Sequence, residues 1–159
     1  MIKVLLADDH KIFRDGIMAI LSQDEEIEII GEAGTGQQAI DILCKSKPDL
    51  VLMDINMPEC NGIDATTQIK TKFSEVRVLA LTMYEDDHHV VDMLDAGASG
   101  YVMKNIGRSE LITAIKTVHS GETYLSKEAS DKLVAHIIKS RTEEKKKEEE
   151  VPLTSRETE

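Results

Sequence analysis

The sequence predicts an α/β fold: a doubly wound, five-stranded parallel sheet with helices on both faces and an extra helix at the C-terminal end. Short β-rich apolar runs alternate with segments of helical period, five times in succession. Three of the runs are almost wholly apolar, as strands covered on both faces must be. Glycines and capping residues punctuate the joins.

The first strand is Ile2 to Ala7, and it runs straight into Asp8-Asp9. Ile12, Phe13, Gly16, Ile17, Ile20 and Leu21 then recur at helical spacing. Ile27-Glu28-Ile29-Ile30 mixes charge into a strand pattern and so reads as an edge. Thr35-Gly36-Gln37-Gln38 has the capping-box form and opens a helix carrying Ala39, Ile40 and Leu43. Leu50-Val51-Leu52-Met53 is the third strand, ending in Asp54; the third helix spans about Gly62 to Thr71. Val76 to Leu81 is the fourth strand, ending in Thr82, and Glu85 to Asp95 the fourth helix, stopped by Gly97. Gly100 to Met103 is the fifth strand, ending in Lys104; Leu111, Ile112, Ile115 and Val118 line the fifth helix, stopped by Gly121. Ser126 is placed to cap a further helix with Ala129, Leu133, Ile137 and Ile138 apolar. The run from Glu143 to Glu150 reads as a solvated, charged linker, and Pro152 ends any helix there. Strand order is not legible from periodicity; the doubly wound alternative to a Rossmann order is the flavodoxin-like one.

Composition narrows the function. A net charge of −11 repels nucleic acid, so this stretch is not expected to bind DNA by itself. Cys44 and Cys60 have no metal or CxxC spacing and read as free thiols in a reducing cytosol. No signal peptide and no apolar run of membrane-spanning length is visible, so a cytoplasmic protein without a membrane partner is expected. Gly31-Glu32-Ala33-Gly34-Thr35-Gly36 has neither the Walker A spacing nor the dinucleotide-binding order, and reads as a βα turn. His88 and His89, adjacent on a helix, diverge by about 100° and are expected to face solvent. His10 is explained by its place at the start of a helix.

The informative feature is where the polar residues fall. Asp8, Asp9, Asp54, Thr82 and Lys104 all sit at carboxyl ends of strands, where ligands of open α/β sheets bind. Each alone has an ordinary explanation as a cap, a turn residue or a surface lysine. Together they aim carboxylates, a hydroxyl and an ammonium at one crevice. Clustered carboxylates resist ionising together, and a hard divalent cation such as Mg²⁺ resolves the conflict. A carboxylate left at the centre is then a nucleophile toward phosphorus, forming an acyl phosphate, with Lys104 and the metal stabilising the transferring group.

With these residues placed, the chain resembles the receiver domains of two-component response regulators over roughly residues 1–120. The resemblance implies the flavodoxin-like (CheY-like) strand order and a phosphoacceptor switch that assists its own phosphorylation and dephosphorylation rather than an enzyme. It makes Asp54 the phosphoacceptor. It makes Asp9 the direct Mg²⁺ ligand, with Asp54 and the Asn56 backbone carbonyl, and Asp8 acting through water. Thr82 becomes the switch hydroxyl, Tyr101 the switch aromatic and Lys104 the site lysine. Asp8-Asp9-His10 and Ala96-Gly97-Ala98-Ser99-Gly100-Tyr101 resemble the NarL/FixJ subgroup. Residues 121–152 are then a helix and charged linker. Leu153-Thr154-Ser155-Arg156-Glu157-Thr158-Glu159 looks like the opening of a truncated LuxR-type helix-turn-helix domain. The partners implied are a sensor histidine kinase, a second copy of the chain on phosphorylation, and DNA only through that missing domain. The chain departs from the family in two places. Asn105 rather than proline follows Lys104, and the bulky Met83 follows Thr82, where it is expected to slow attack by water on the phosphoryl group.

Overall fold

The computed structural model describes residues 1–55, 57, 61–83, 87–127 and 129–142, with 87–89 described by backbone alone. The elements run β1 (Ile2–Ala7), α1 (Lys11–Leu21), β2 (Ile27–Ala33), α2 (Gly36–Lys45), β3 (Leu50–Asp54), α3 (Gly62–Lys72), β4 (Arg77–Thr82), α4 (Asp87–Ala96), β5 (Gly100–Met103), α5 (Arg108–His119) and β6 (Tyr124–Leu125). The sheet order is β2-β1-β3-β4-β5-β6 with every pairing parallel. This is the flavodoxin-like order with one strand added. The nearly all-apolar β1, β3 and β4 are interior, and the charge-bearing β2 is an edge.

Strand alternation sorts the core into two layers. Val4, Leu6, Leu50, Leu52, Leu79, Leu81 and Val102 pack with Ile17 and Leu21 of α1 and with Leu111, Ile115 and Val118 of α5. Leu5, Ala7, Val51, Met53, Val78, Ala80 and Tyr101 pack on the other face with Ile40, Leu43, Ile69, Val90 and Met93 of α2, α3 and α4.

The expected five strands are corrected to six. β6 is two residues long, too short for any periodicity to register, and it pairs Tyr124 with Gly100 and Leu125 with Tyr101. A Cβ on Gly100 would come within 2.9 Å of the Tyr124 carbonyl oxygen, so only glycine admits β6 this closely. Elsewhere the bounds differ by small margins. β2 continues three residues past Ile30, and α4 begins at Asp87.

The punctuation behaves as its chemistry requires. Thr35 Oγ1 accepts the Gln38 N–H at 3.1 Å, while Gln38 Oε1 reaches back to the Gly34 N–H at 2.8 Å rather than to Thr35. Gly97 and Gly121 close α4 and α5 with φ of 110° and 101°, values that L side chains rarely adopt. Ser126 Oγ accepts the Ala129 N–H at 3.2 Å, capping a helical segment over 129–142. Ala129 and Leu133 seat that segment on the Tyr101 layer. The Lys104–Asn105 peptide is trans. Among the described residues no helix is long and apolar enough to cross a membrane. Asn56, Pro58, Cys60, Glu85, the side chains of His88 and His89, the charged run, Pro152 and residues 153–159 lie outside the described residues.

Candidate functional site

The chain leaves β1 for β2 on one side and returns to β3 on the other, so the switch point of the sheet lies between β1 and β3. Connections there diverge, leaving a crevice beyond the strand ends. Asp8 follows β1 and Asp54 ends β3 at this place.

Both carboxylates are buried. Asp8 is 0% and Asp54 1% exposed. The Lys104 ammonium spans them, with Nζ 2.7 Å from Asp8 Oδ2 and 3.2 Å from Asp54 Oδ2. The Lys104 N–H donates to the Thr82 carbonyl at 2.7 Å, so the end of β4 fixes the lysine's backbone. Its Nζ also lies 4.7 Å from the centre of the Phe13 ring, a cation–π distance. Burial of opposite charges in a shared pocket strengthens their attraction, while either carboxylate without the lysine would be costly to desolvate.

Asp9 is more open, its side chain 31% exposed. His10 occupies the N-cap position of α1, yet its side chain makes no capping bond. Its position as a helix start therefore does not account for the ring. Nδ1 instead lies 3.2 Å from Asp8 Oδ1, 3.2 Å from Asp9 Oδ1 and 3.3 Å from Lys104 Nζ. The reason is local: the His10 N–H donates to Asp8 Oδ1 at 2.8 Å, which folds the turn back over the acids.

Thr82 is fully buried at the end of β4. By alternation it follows Ala80, which pairs across the ladder with Tyr101, placing Thr82 on the layer of α4 and Tyr101. Tyr101 is already inward, 1% exposed, beside a residue small enough to make room. The sheet thus separates Asp8 and Lys104 from the Thr82–Tyr101 layer, and the strand ends join the two. Asn61 opens α3 by accepting the Asp64 N–H at 2.9 Å, and the Gly62 N–H donates to the Ile55 carbonyl at 2.8 Å, pinning α3 to the end of β3.

Asp8, Asp9, Asp54 and His10 each offer one ligand atom, all within 4.8 Å of one another. When ionised, three carboxylates against one ammonium leave a formal charge of −2, which one divalent cation would cancel. The oxygen-rich donors fit a hard ion such as Mg²⁺. Two residues escaped the sequence reading besides His10. Phe13 was read only as core, and Arg14 not at all. Arg14 donates to the Asp8 carbonyl and, through Nε at 3.0 Å, to Glu32, tying α1 and β2 to the site. Their spacing from the acid pair, one helical turn on, was the available signal.

Comparison with known proteins agrees with this geometry. The family model described as "Response regulator receiver domain" matches residues 4–116. The chain is 33% identical over 150 residues to the transcriptional regulatory protein DegU of Brevibacillus brevis, covering 94% of this chain and 64% of that protein. It is 36% identical over 144 residues to the oxygen regulatory protein NreC of Staphylococcus epidermidis, covering 89% and 66%. The chain therefore spans about two thirds of the length of these relatives. Among solved structures, a LuxR-family two-component response regulator from an Aurantimonas species superposes with a TM-score of 0.81 at 29% identity, over 86% of this chain and 97% of that one. The isolated receiver of RcsB from Salmonella enterica serovar Typhimurium, solved with a phosphomimetic beryllofluoride, gives 0.76 at 27% identity, over 83% and 98%.

Proposed function

This chain belongs to the response regulator receiver family, and from that premise we propose that it is the phosphorylation switch of a transcription regulator, taking a phosphoryl group on Asp54 from a sensor histidine kinase. The observation that carries the reading is the buried Asp8–Lys104–Asp54 group, an ammonium shared by two carboxylates at the switch point of the sheet.

A bound Mg²⁺ would neutralise charge on the phosphoryl oxygens, held by Asp9, Asp54 and the Asn56 carbonyl, with Asp8 acting through water. An Asp54 carboxylate oxygen attacks phosphorus as the bond to the kinase histidine breaks; that imidazole keeps the electron pair and takes up a proton. Lys104 leaves its shared position for the incoming oxygens and offsets their charge. The Thr82 hydroxyl donates to a phosphoryl oxygen.

Thr82 lies on the layer that also holds Tyr101 and α4, so its movement is felt there. The Tyr101 carbonyl accepts the Ser126 N–H at 3.1 Å, which ties the strand of the switch aromatic to the start of the C-terminal helical segment. That contact supports passage of the signal through α4, β5 and α5 to an output domain beyond this chain, through dimerisation on phosphorylation, with DNA engaged by that domain in the cytoplasm. The chain hydrolyses its own acyl phosphate but turns over no external substrate.

Titration with acetyl phosphate and with beryllofluoride, with and without Mg²⁺, tests the proposal by intact mass and sedimentation. The expected result is a saturable change needing both Mg²⁺ and Asp54. Wild-type labelling of Asp54→Asn would sink it. Thr82→Ala should accept phosphate yet fail to change oligomeric state.

A further inference from the structure

The acidic pocket holds one nitrogen that a magnesium site does not require. We infer that His10 Nδ1 is a direct metal ligand here, and that it turns the receiver's magnesium pocket into one preferring borderline first-row transition ions such as Co²⁺, Ni²⁺ or Zn²⁺. The inference rests on the proposed reading of the acidic pocket as a divalent-cation site.

Three observations carry it. Nδ1 lies 3.2 Å from an oxygen of Asp8 and 3.2 Å from an oxygen of Asp9. Adjacent ligands around one ion with bonds of about 2.1 Å stand about 3.0 Å apart in an octahedron, so these spacings are those of donors sharing a metal. The ring's position is imposed rather than incidental. The His10 side chain is 57% exposed, which leaves it room to turn outward, yet Nδ1 points in, because Asp8 Oδ1 accepts the His10 N–H at 2.8 Å. The nitrogen also has no capping duty, since the side chain makes no bond to the N-terminus of α1.

Donor chemistry then decides the selectivity. Carboxylate and water ligands suit Mg²⁺, which gains little from an imidazole. Imidazole favours the later first-row ions, whose affinities for mixed nitrogen and oxygen sites rise from Mn²⁺ to Cu²⁺. Adding His10 to Asp8, Asp9 and Asp54 should therefore leave Mg²⁺ affinity nearly unchanged and raise that for Co²⁺ or Zn²⁺.

The test is calorimetric titration of the untagged chain with MgCl₂ and with CoCl₂, at a pH above the ordinary imidazole range, for wild type, His10→Asn and Asp9→Asn. Wild type should bind Co²⁺ more tightly than Mg²⁺, and excess Mg²⁺ should displace it, which separates this site from histidines elsewhere. His10→Asn should lose about tenfold or more in Co²⁺ affinity, comparable to the loss of a ligand's supporting contact, and less than about twofold for Mg²⁺. In ¹⁵N-labelled protein, Zn²⁺ should shift the His10 Nδ1 resonance and not Nε2. Equal weakening of both ions by His10→Asn, no weakening of Co²⁺, or a Zn²⁺ shift at Nε2 would overturn the role of His10. If wild type binds neither ion, or Asp9→Asn leaves Mg²⁺ binding intact, the cation-site reading itself fails.

Discussion

Gly62 stands so close to the phosphoacceptor's backbone that a Cβ added there would lie 2.2 Å from the Asp54 carbonyl oxygen and 2.7 Å from the Ile55 Cα. No side chain can give way, because both neighbours are main chain. The first turn of α3 is thereby pressed against the end of β3, and the Gly62 N–H bond to Ile55 holds it there.

Gly62→Ala should therefore push α3 off Asp54. The expected cost is about 3 kcal/mol of stability, at the upper end for overpacking, with slower phosphate acceptance. Denaturant unfolding reads the first and acetyl-phosphate labelling the second. An unchanged unfolding midpoint would refute the close approach.

Lys104 is the cation shared by two buried carboxylates. Lys104→Met leaves them facing each other, and breaking a buried pair from one side typically costs about 3–5 kcal/mol. Because a ligand that binds only the folded state stabilises it, Mg²⁺ should raise the melting temperature of Lys104→Met by more than that of wild type. Asp54→Asn, which removes one of the repelling charges, should shift it far less. Calorimetry with and without Mg²⁺ compares the three proteins; equal Mg²⁺ responses in wild type and Lys104→Met would contradict the charge balance.

Met83 is 62% exposed and lines a cavity of about 290 Å³ with Phe13, Met103, Lys104 and Asn105. Its side chain stands where water would approach a phosphoryl group on Asp54. Met83→Ala should shorten the lifetime of the phosphorylated chain by about three- to tenfold, a barrier change of roughly 0.6–1.4 kcal/mol. Loss of label from purified phosphoprotein measures it, and identical decay of both proteins would dismiss the role.

Away from the site, Asp24 joins the end of α1 to β2 and α5. Its carboxylate accepts the Glu26 N–H at 2.8 Å, and this bond lowers its pKa from the ordinary 3.8; partial burial opposes the shift and Lys116, at 3.4 Å, adds to it. A carboxyl whose folded value is depressed stabilises the protein above its unfolded value, and that contribution is lost as pH falls through the folded value. Asp24→Asn keeps the acceptor and removes the charge. Its melting temperature should fall less steeply than wild type on acidification below about pH 4. Parallel acid limbs for the two proteins would count against the linkage.

Much of the fold was legible because burial writes itself into strand composition. β1, β3 and β4 are apolar on both faces and so must be interior, while Glu28 and Glu32 mark β2 as exposed on one side. The helix stops at Gly97 and Gly121 were legible for a similar reason, since their left-handed φ values favour glycine. The polar residues at strand ends were legible as a set, because a parallel sheet brings all its carboxyl ends to one edge.

What tertiary structure alone decided concerns contacts between residues far apart in the chain. Periodicity reports which face a residue takes and not which strand lies beside it, so β6 and its pairing with β5 had no local signature. Gly62 reads as turn chemistry after Asn61 until β3 is laid against it. His10 begins a helix by sequence, and only the folded turn shows its Nδ1 among the acids rather than at a cap. The amino-acid order determined the layers and the chemistry available at their edge, because hydrophobic burial and chain geometry act locally. Which of those groups touch was left to packing, where ångström distances between distant segments settle the outcome.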